Sequence, residues 1–176
     1  MATFGLQARQ VKILWLGNSF TYTNNLPAML QSLALSGGDT ITWDSYAPGG
    51  YTLQQHAQDT MDSHKIYSAQ WDFVVVQAQS QEPSFPPAQV ETATYPYARI
   101  LDSMAINNDS CTQVVFYMTW GRKYGDASNC SGYPEICTFD GITDRLRQSY
   151  TEMGDSNRAL IAPVGMAWYA IYHADT

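Results

Sequence analysis

Ser19 is the residue with the most direct chemical use, in Gly17-Asn18-Ser19-Phe20-Thr21 straight after the apolar run Val11–Leu16 (VKILWL). A serine on a tight turn between a buried strand and a helix sits beside unpaired backbone N–H groups that can hold a developing oxyanion. A lone G-x-S in such a place more often only caps the helix, so the case rests on its company. Pro48-Gly49-Gly50-Tyr51-Thr52 follows the run Thr40–Tyr46 (TITWDSY), and glycine lets a backbone N–H approach a reacting carbonyl with no side chain in the way. Gln77-Ala78-Gln79-Ser80-Gln81-Glu82-Pro83 follows Trp71–Val76 (WDFVVV). Amides at a strand end either donate to an oxyanion from a direction the backbone does not cover or simply tie down loops.

The other reactive residue types have less support. The histidines are His56, His64 and His173; His56 and His64 fall in a helical stretch and read as surface or satisfied side chains. Cys130 and Cys137 flank the turn-forming Ser131-Gly132-Tyr133-Pro134, which could bring them within bridging range, as expected in an oxidising compartment. With Cys111 they form no CxxC pair or His-rich spacing, so no metal site is expected, and no cofactor either. Tyr51, Phe85, Trp120 and Tyr124 follow strand ends, where aromatic rings either stack on a sugar or belong to the core.

The elements that must position these residues alternate. Strands are expected at 11–16, 40–46, 71–76, Thr112–Met118 and Arg158–Val164. Helices are expected from an Asn25 cap through Met29, Leu30, Leu33 and Ala34 to Gly37, then over 52–66, 88–106 and 140–153, with a short one reaching Tyr172. Residues 120–138 read as a loop. Alternation of this kind predicts a three-layer α/β/α sandwich around a parallel sheet of about five strands. Ligands in such sheets bind beyond the carboxyl ends of the strands, where all three candidate segments lie.

The bulk numbers agree with one domain: 176 residues, 45% hydrophobic and 14% charged, suit a packed globule. A net charge of -7 with no Lys/Arg cluster disfavours nucleic acid and anionic membranes as partners, and no run of about twenty apolar residues spans a bilayer. Residues 1–10 (MATFGLQARQ) read either as the remnant of a signal peptide or as a disordered leader, ahead of a domain over 11–176. The oligomeric state is not legible. A flavodoxin-like nucleotide binder would share the architecture, but no Gly-rich phosphate loop with a lysine is present.

Taken in order, the three segments resemble the first three blocks of the SGNH (GDSL-like) hydrolase superfamily. Gly17-Asn18-Ser19 stands where the family has G-D-S, and Gln77-Ala78-Gln79-Ser80 where it has G-x-N-D. The phrases LGNSFTYTNNLP, VVVQAQSQEPSF, MTWGRKYGD and IAPVGMAW are similar to an exported bacterial, carbohydrate-esterase-like branch. The resemblance implies an esterase acting by acyl-serine chemistry on small-molecule or carbohydrate esters, O-acetyl carbohydrate above all, in a secreted or periplasmic location. It implies Ser19 as nucleophile, an oxyanion hole from Ser19, Gly50 (Gly49 as fallback) and Gln79, and a substrate lining of Asn18, Tyr51, Gln77, Ser80 and Trp120. The family's last block, D-x-x-H, which carries the base, has no counterpart here: His173-Ala174-Asp175 runs in the wrong order. The expectation is therefore a C-terminally truncated domain of low activity, or a non-catalytic carbohydrate-binding or interaction protein on the same fold.

Overall fold

A computed structural model of the chain describes residues 8–174. Five strands, β1 (Gln10–Leu16), β2 (Thr40–Tyr46), β3 (Phe73–Val76), β4 (Gln113–Tyr117) and β5 (Leu160–Ala162), form one parallel sheet in the order β2-β1-β3-β4-β5. The eight α-helices are α1 (Ser19–Tyr22), α2 (Leu26–Ser36), α3 (Leu53–Gln58), α4 (Thr60–Tyr67), α5 (Pro87–Ala93), α6 (Tyr95–Asn108), α7 (Phe139–Asn157) and α8 (Val164–Ala174). The expected α/β architecture is present. Of the expected leader, residues 1–7 lie outside the described residues, as do Asp175 and Thr176. Arg9 and Gln10 already run beside the start of β2, through Arg9 N–H to Asp39 Oδ1 and the pairing of Gln10 with Thr40.

Strand alternation sends side chains to two faces. Leu14, Leu16, Val74, Val76, Val114 and Phe116 pack with Leu53, Ile66, Leu101, Leu146 and Met153 from α3, α4, α6 and α7. Ile13, Trp15, Val75 and Tyr117 face the other way, against Leu26, Leu30 and Ala34 of α2. Burial of these sheet residues, at about 1.5–3 kcal/mol for each large apolar side chain, is what fixes the strand ends relative to one another.

Several boundaries differ from expectation for identifiable reasons. The stretch 52–66 is two helices, because the Asp59 carboxylate takes Met61 N–H as the cap of α4, while Thr52 and Gln55 form a reciprocal capping box on α3. The stretch 88–106 breaks at Thr94, since Pro96 lacks an N–H and its ring disfavours continuation from the turn before. Arg158 takes a left-handed conformation (φ 54°) to end α7, which shortens β5. Asn25 is left-handed too and makes no side-chain cap. Helix α2 turns Leu26, Leu30 and Ala34 to the sheet, leaving Met29 58% and Leu33 69% exposed. The 120–138 loop contains a 3-10 turn at Pro134–Cys137, and Cys130 and Cys137 are joined by a disulfide.

Candidate active site

Strand order reverses between β1 and β3, so the loops leaving these strands diverge and open a crevice at their carboxyl ends. Gly17, Asn18 and Ser19 leave β1 there, and Gln77 to Ser80 leave β3. Gly17 has to be glycine: a Cβ would lie 2.3 Å from Thr21 Oγ1 and 2.8 Å from Gln77 Oε1.

Asn18 and Gln77, expected to line the substrate, lie beneath the crevice at 2% and 0% exposure. They tie the segments together instead of facing a ligand. Asn18 Nδ2 donates to the carbonyls of Tyr51 (3.0 Å) and Ala78 (3.4 Å), while Asn18 Oδ1 accepts from Phe20 N–H (3.2 Å) and Gln77 Nε2 (2.9 Å). Gln77 Oε1 accepts from Asn18 N–H and the Thr21 hydroxyl, both at 3.0 Å, and Gln77 Nε2 also reaches the Ala78 carbonyl. The residue before Ser19 is thereby bonded to the residue after Gly50 and to the residue before Gln79. Two primary amides do this because each offers donors and acceptors together, so all of the buried bracket is satisfied.

Around this bracket the candidate donors stand unengaged. Among the described residues no acceptor takes the N–H of Ser19 or of Gly50, whereas Phe20 N–H is used by Asn18 and Tyr51 N–H by the Pro48 carbonyl. Gly50 holds φ +75°, a conformation that glycine adopts without cost, and is exposed. Gln79 Oε1 accepts from the backbone N–H groups of Gln81 and Glu82, both at 2.9 Å. Its carbonyl end is thus clamped, and the longer arm of Gln relative to Asn is held in place with its NH2 group turned away from those donors. Burial, with the Glu82 Oε2 atom unpaired, pushes the Glu82 carboxyl up to about 7.

The histidines lie elsewhere. His56 is completely buried, its Nδ1 2.7 Å from Asp62 Oδ1 and its Nε2 2.9 Å from the Gly17 carbonyl, so of the two readings it is the satisfied one. His64 is exposed on α4, and His173 meets Asp140 at 2.8 Å. No described histidine is bonded to Ser19. Tyr51 is half-buried; its hydroxyl and that of Tyr46 both donate to Asp59 Oδ2, at 3.0 and 2.8 Å. Donation from Met61 N–H, with the Tyr46 hydroxyl next, holds Asp59 below the usual carboxylate range. Among the described residues no group of His, Cys, Asp and Glu is arranged to hold a metal ion, and no helix is long and apolar enough to cross a membrane.

Beside the bracket lies a cleft of about 690 Å³ whose walls include Phe20, Ser80, Trp120, Phe139, Trp168 and Tyr172. Phe20 and Trp120 stack at 4.4 Å with an interplanar angle of 16°, and Trp168 leans on Trp120 at 5.6 Å. Ser80 is fixed through its carbonyl, which accepts from the Thr119 hydroxyl at 3.0 Å. Sequence reasoning found Trp120 and Ser80 but missed Phe20 and Trp168. Phe20 was adjacent to the nucleophile and could have been read as a wall; Trp168 comes from a helix after β5 that no local pattern ties to the crevice.

A serine on the turn after β1, on the same carboxyl rim as the segments that leave β2 and β3, is an arrangement that serine-hydrolase chemistry can use. No protein-family model and no curated protein sequence matches the chain. Solved structures do. A protein assigned as an SGNH hydrolase from Slackia heliotrinireducens is 27% identical, with a TM-score of 0.73 over 93% of this chain and 83% of its own. A DUF4886 family protein from Bacteroides uniformis shares 16% identity with a TM-score of 0.75 over 91% of this chain and 69% of its own. An acetylxylan esterase from Geobacillus stearothermophilus shares the fold at 12% identity and a TM-score of 0.56, over 88% of this chain and 76% of its own. These likenesses support a place for the chain in the SGNH (GDSL-like) hydrolase superfamily.

Proposed function

We propose that the chain is a serine esterase: Ser19 Oγ attacks an ester carbonyl, the alcohol leaves with a proton, and water releases the acid from the acyl-serine. One observation carries this reading, the Asn18 amide that ties the nucleophile turn to the segments bearing Gly50 and Gln79. Charge building on the carbonyl oxygen would meet the N–H groups of Ser19 and Gly50 and the NH2 of Gln79, each worth about 3 kcal/mol of transition-state stabilisation when aligned. The described residues bring no histidine to Ser19, and a serine without a base is a weak nucleophile, so turnover by them is slow.

The aromatic cleft favours a substrate with a face to stack, and a carbohydrate bearing an O-acetyl group is the substrate class we assign. The solved acetylxylan esterase of the same fold agrees with that choice. The Cys130–Cys137 bridge fits an oxidising, exported location. The test is release of p-nitrophenol from p-nitrophenyl acetate. The native chain gives one equivalent per chain on acylation, Ser19→Ala gives none, and Gln79→Ala lowers the acylation rate by about 100-fold or more with little change in KM. Equal release from native and Ser19→Ala chains would overturn the proposal.

A further inference from the structure

His56 and Asp62 are both at 0% exposure, come from different helices, and have no part in the acyl transfer just described. Their bonding is specific. A carbonyl oxygen only accepts, so the 2.9 Å contact with Gly17 requires His56 Nε2 to carry a hydrogen. Nδ1 and Asp62 Oδ1, 2.7 Å apart, then share a single proton, and the pair is net neutral whichever atom holds it. Asp62 Oδ2 is buried with no partner among the described residues, and burial pushes the Asp62 carboxyl up against the pull of His56. Such a pair is a poor source of stability, since apolar residues of the same volume generally serve as well. What it supplies is direction.

The Gly17–Asn18 peptide immediately precedes the one that carries the Ser19 N–H. Its carbonyl is held by His56, and its N–H is held by Gln77 Oε1 at 3.0 Å. The two groups point opposite ways across a trans peptide, so anchors from α3 and from the end of β3 together stop the plane from rotating. The ring of Tyr51 packs edge-on against the imidazole at 5.1 Å, and that of Tyr46 at 6.3 Å, which limits tilting of His56.

We propose that His56 is a positioning residue for the nucleophile: it sets the orientation of the Ser19 turn through the Gly17 carbonyl, and Asp62 fixes which ring nitrogen carries the donated hydrogen. This rests on the assignment of Ser19 above. The experiment follows the rate at which a fluorophosphonate modifies Ser19, resolved into a maximal rate and a half-saturation concentration, with thermal unfolding measured in parallel. Because His56→Phe alone strands a buried carboxylate, the informative variant is His56→Phe with Asp62→Leu, which removes both polar groups and keeps the volume. It is expected to fold and to lose about 10- to 100-fold in maximal rate with unchanged half-saturation, since small misplacements of a reacting atom cost that much. His56→Gln, whose amide nitrogen can reach the place of Nε2, is expected to recover most of the rate. A folded double variant that reacts at the native rate overturns the role of His56 alone, and so does a double variant that does not fold together with a folded His56→Gln that gains nothing over His56→Phe. Modification of a Ser19→Ala chain at the native rate, or none of the native chain, overturns the assignment of Ser19 and this inference with it.

Discussion

The residue that departs most informatively from the family pattern is Asn18, which stands in the place of the Asp of G-D-S. Its Oδ1 does what a carboxylate would do, accepting from Phe20 N–H and Gln77 Nε2, but its Nδ2 donates to two carbonyls that a carboxylate would repel. Asn18→Asp is therefore expected to destabilise the chain by about 1–3 kcal/mol, the usual cost of leaving buried acceptors unpaired, and to slow acylation by loosening the Tyr51 and Ala78 segments. Urea unfolding of the two chains side by side checks this, and an unchanged midpoint would show that the two donations carry no weight. Gln79 is a second departure, and its clamp on the N–H groups of Gln81 and Glu82 takes up the extra methylene by anchoring the carbonyl end. Nothing in the single-letter pattern signals that clamp, because it depends on the 3-10 turn at Glu82–Ser84 that brings the two N–H groups to face one oxygen.

At the scale of elements, the apolar runs were the legible part of the chain. Val11–Leu16 and Trp71–Val76 read as buried strands because both faces of a parallel sheet are covered, and their ends placed Ser19 and Gln79 on the same rim before any coordinates. The helix breaks at Asp59 and Thr94 were not seen, although Asp59 and Pro96 are the signals, since a polar cap inside a periodic stretch looks like surface until its own N–H partner is known. The same break accompanies the burial of His56: α3 ends before Asp59, and His56 meets Asp62 of the next helix. Helix α8, which supplies Trp168 to the cleft, is seated by Gly165, where a Cβ would lie 2.1 Å from the Thr119 carbonyl oxygen. Gly165→Ala should push α8 off the end of β4 and cost about 1–3 kcal/mol, with quenching or shift of the Trp120 and Trp168 fluorescence reporting the cleft. Equal stability and an unaltered emission spectrum would mean that α8 is not held there by close approach.

The whole molecule is a sheet whose two faces are paid for by apolar burial and whose carboxyl rim is left for polar work. The amide bracket of Asn18 and Gln77 sits at the point where strand order reverses, so the global topology and the local hydrogen bonds meet at the same three residues, Gly17 to Ser19. That the candidate segments lie beyond the carboxyl ends of the strands was readable from the alternation of strands and helices, whereas the strand order that opens the crevice and the inward turn of Asn18 and Gln77 depend on contacts between distant segments, about sixty residues apart for the amides. The central claim is that the Ser19 oxygen takes up an acyl group, and acid quenching after mixing with p-nitrophenyl acetate, followed by peptide mapping in a mass spectrometer, tests it directly. The account predicts an acetyl group on the peptide containing Ser19, absent from Ser19→Ala and much reduced in Gln79→Ala. Acetylation spread over lysines and tyrosines with Ser19 unmodified would contradict it.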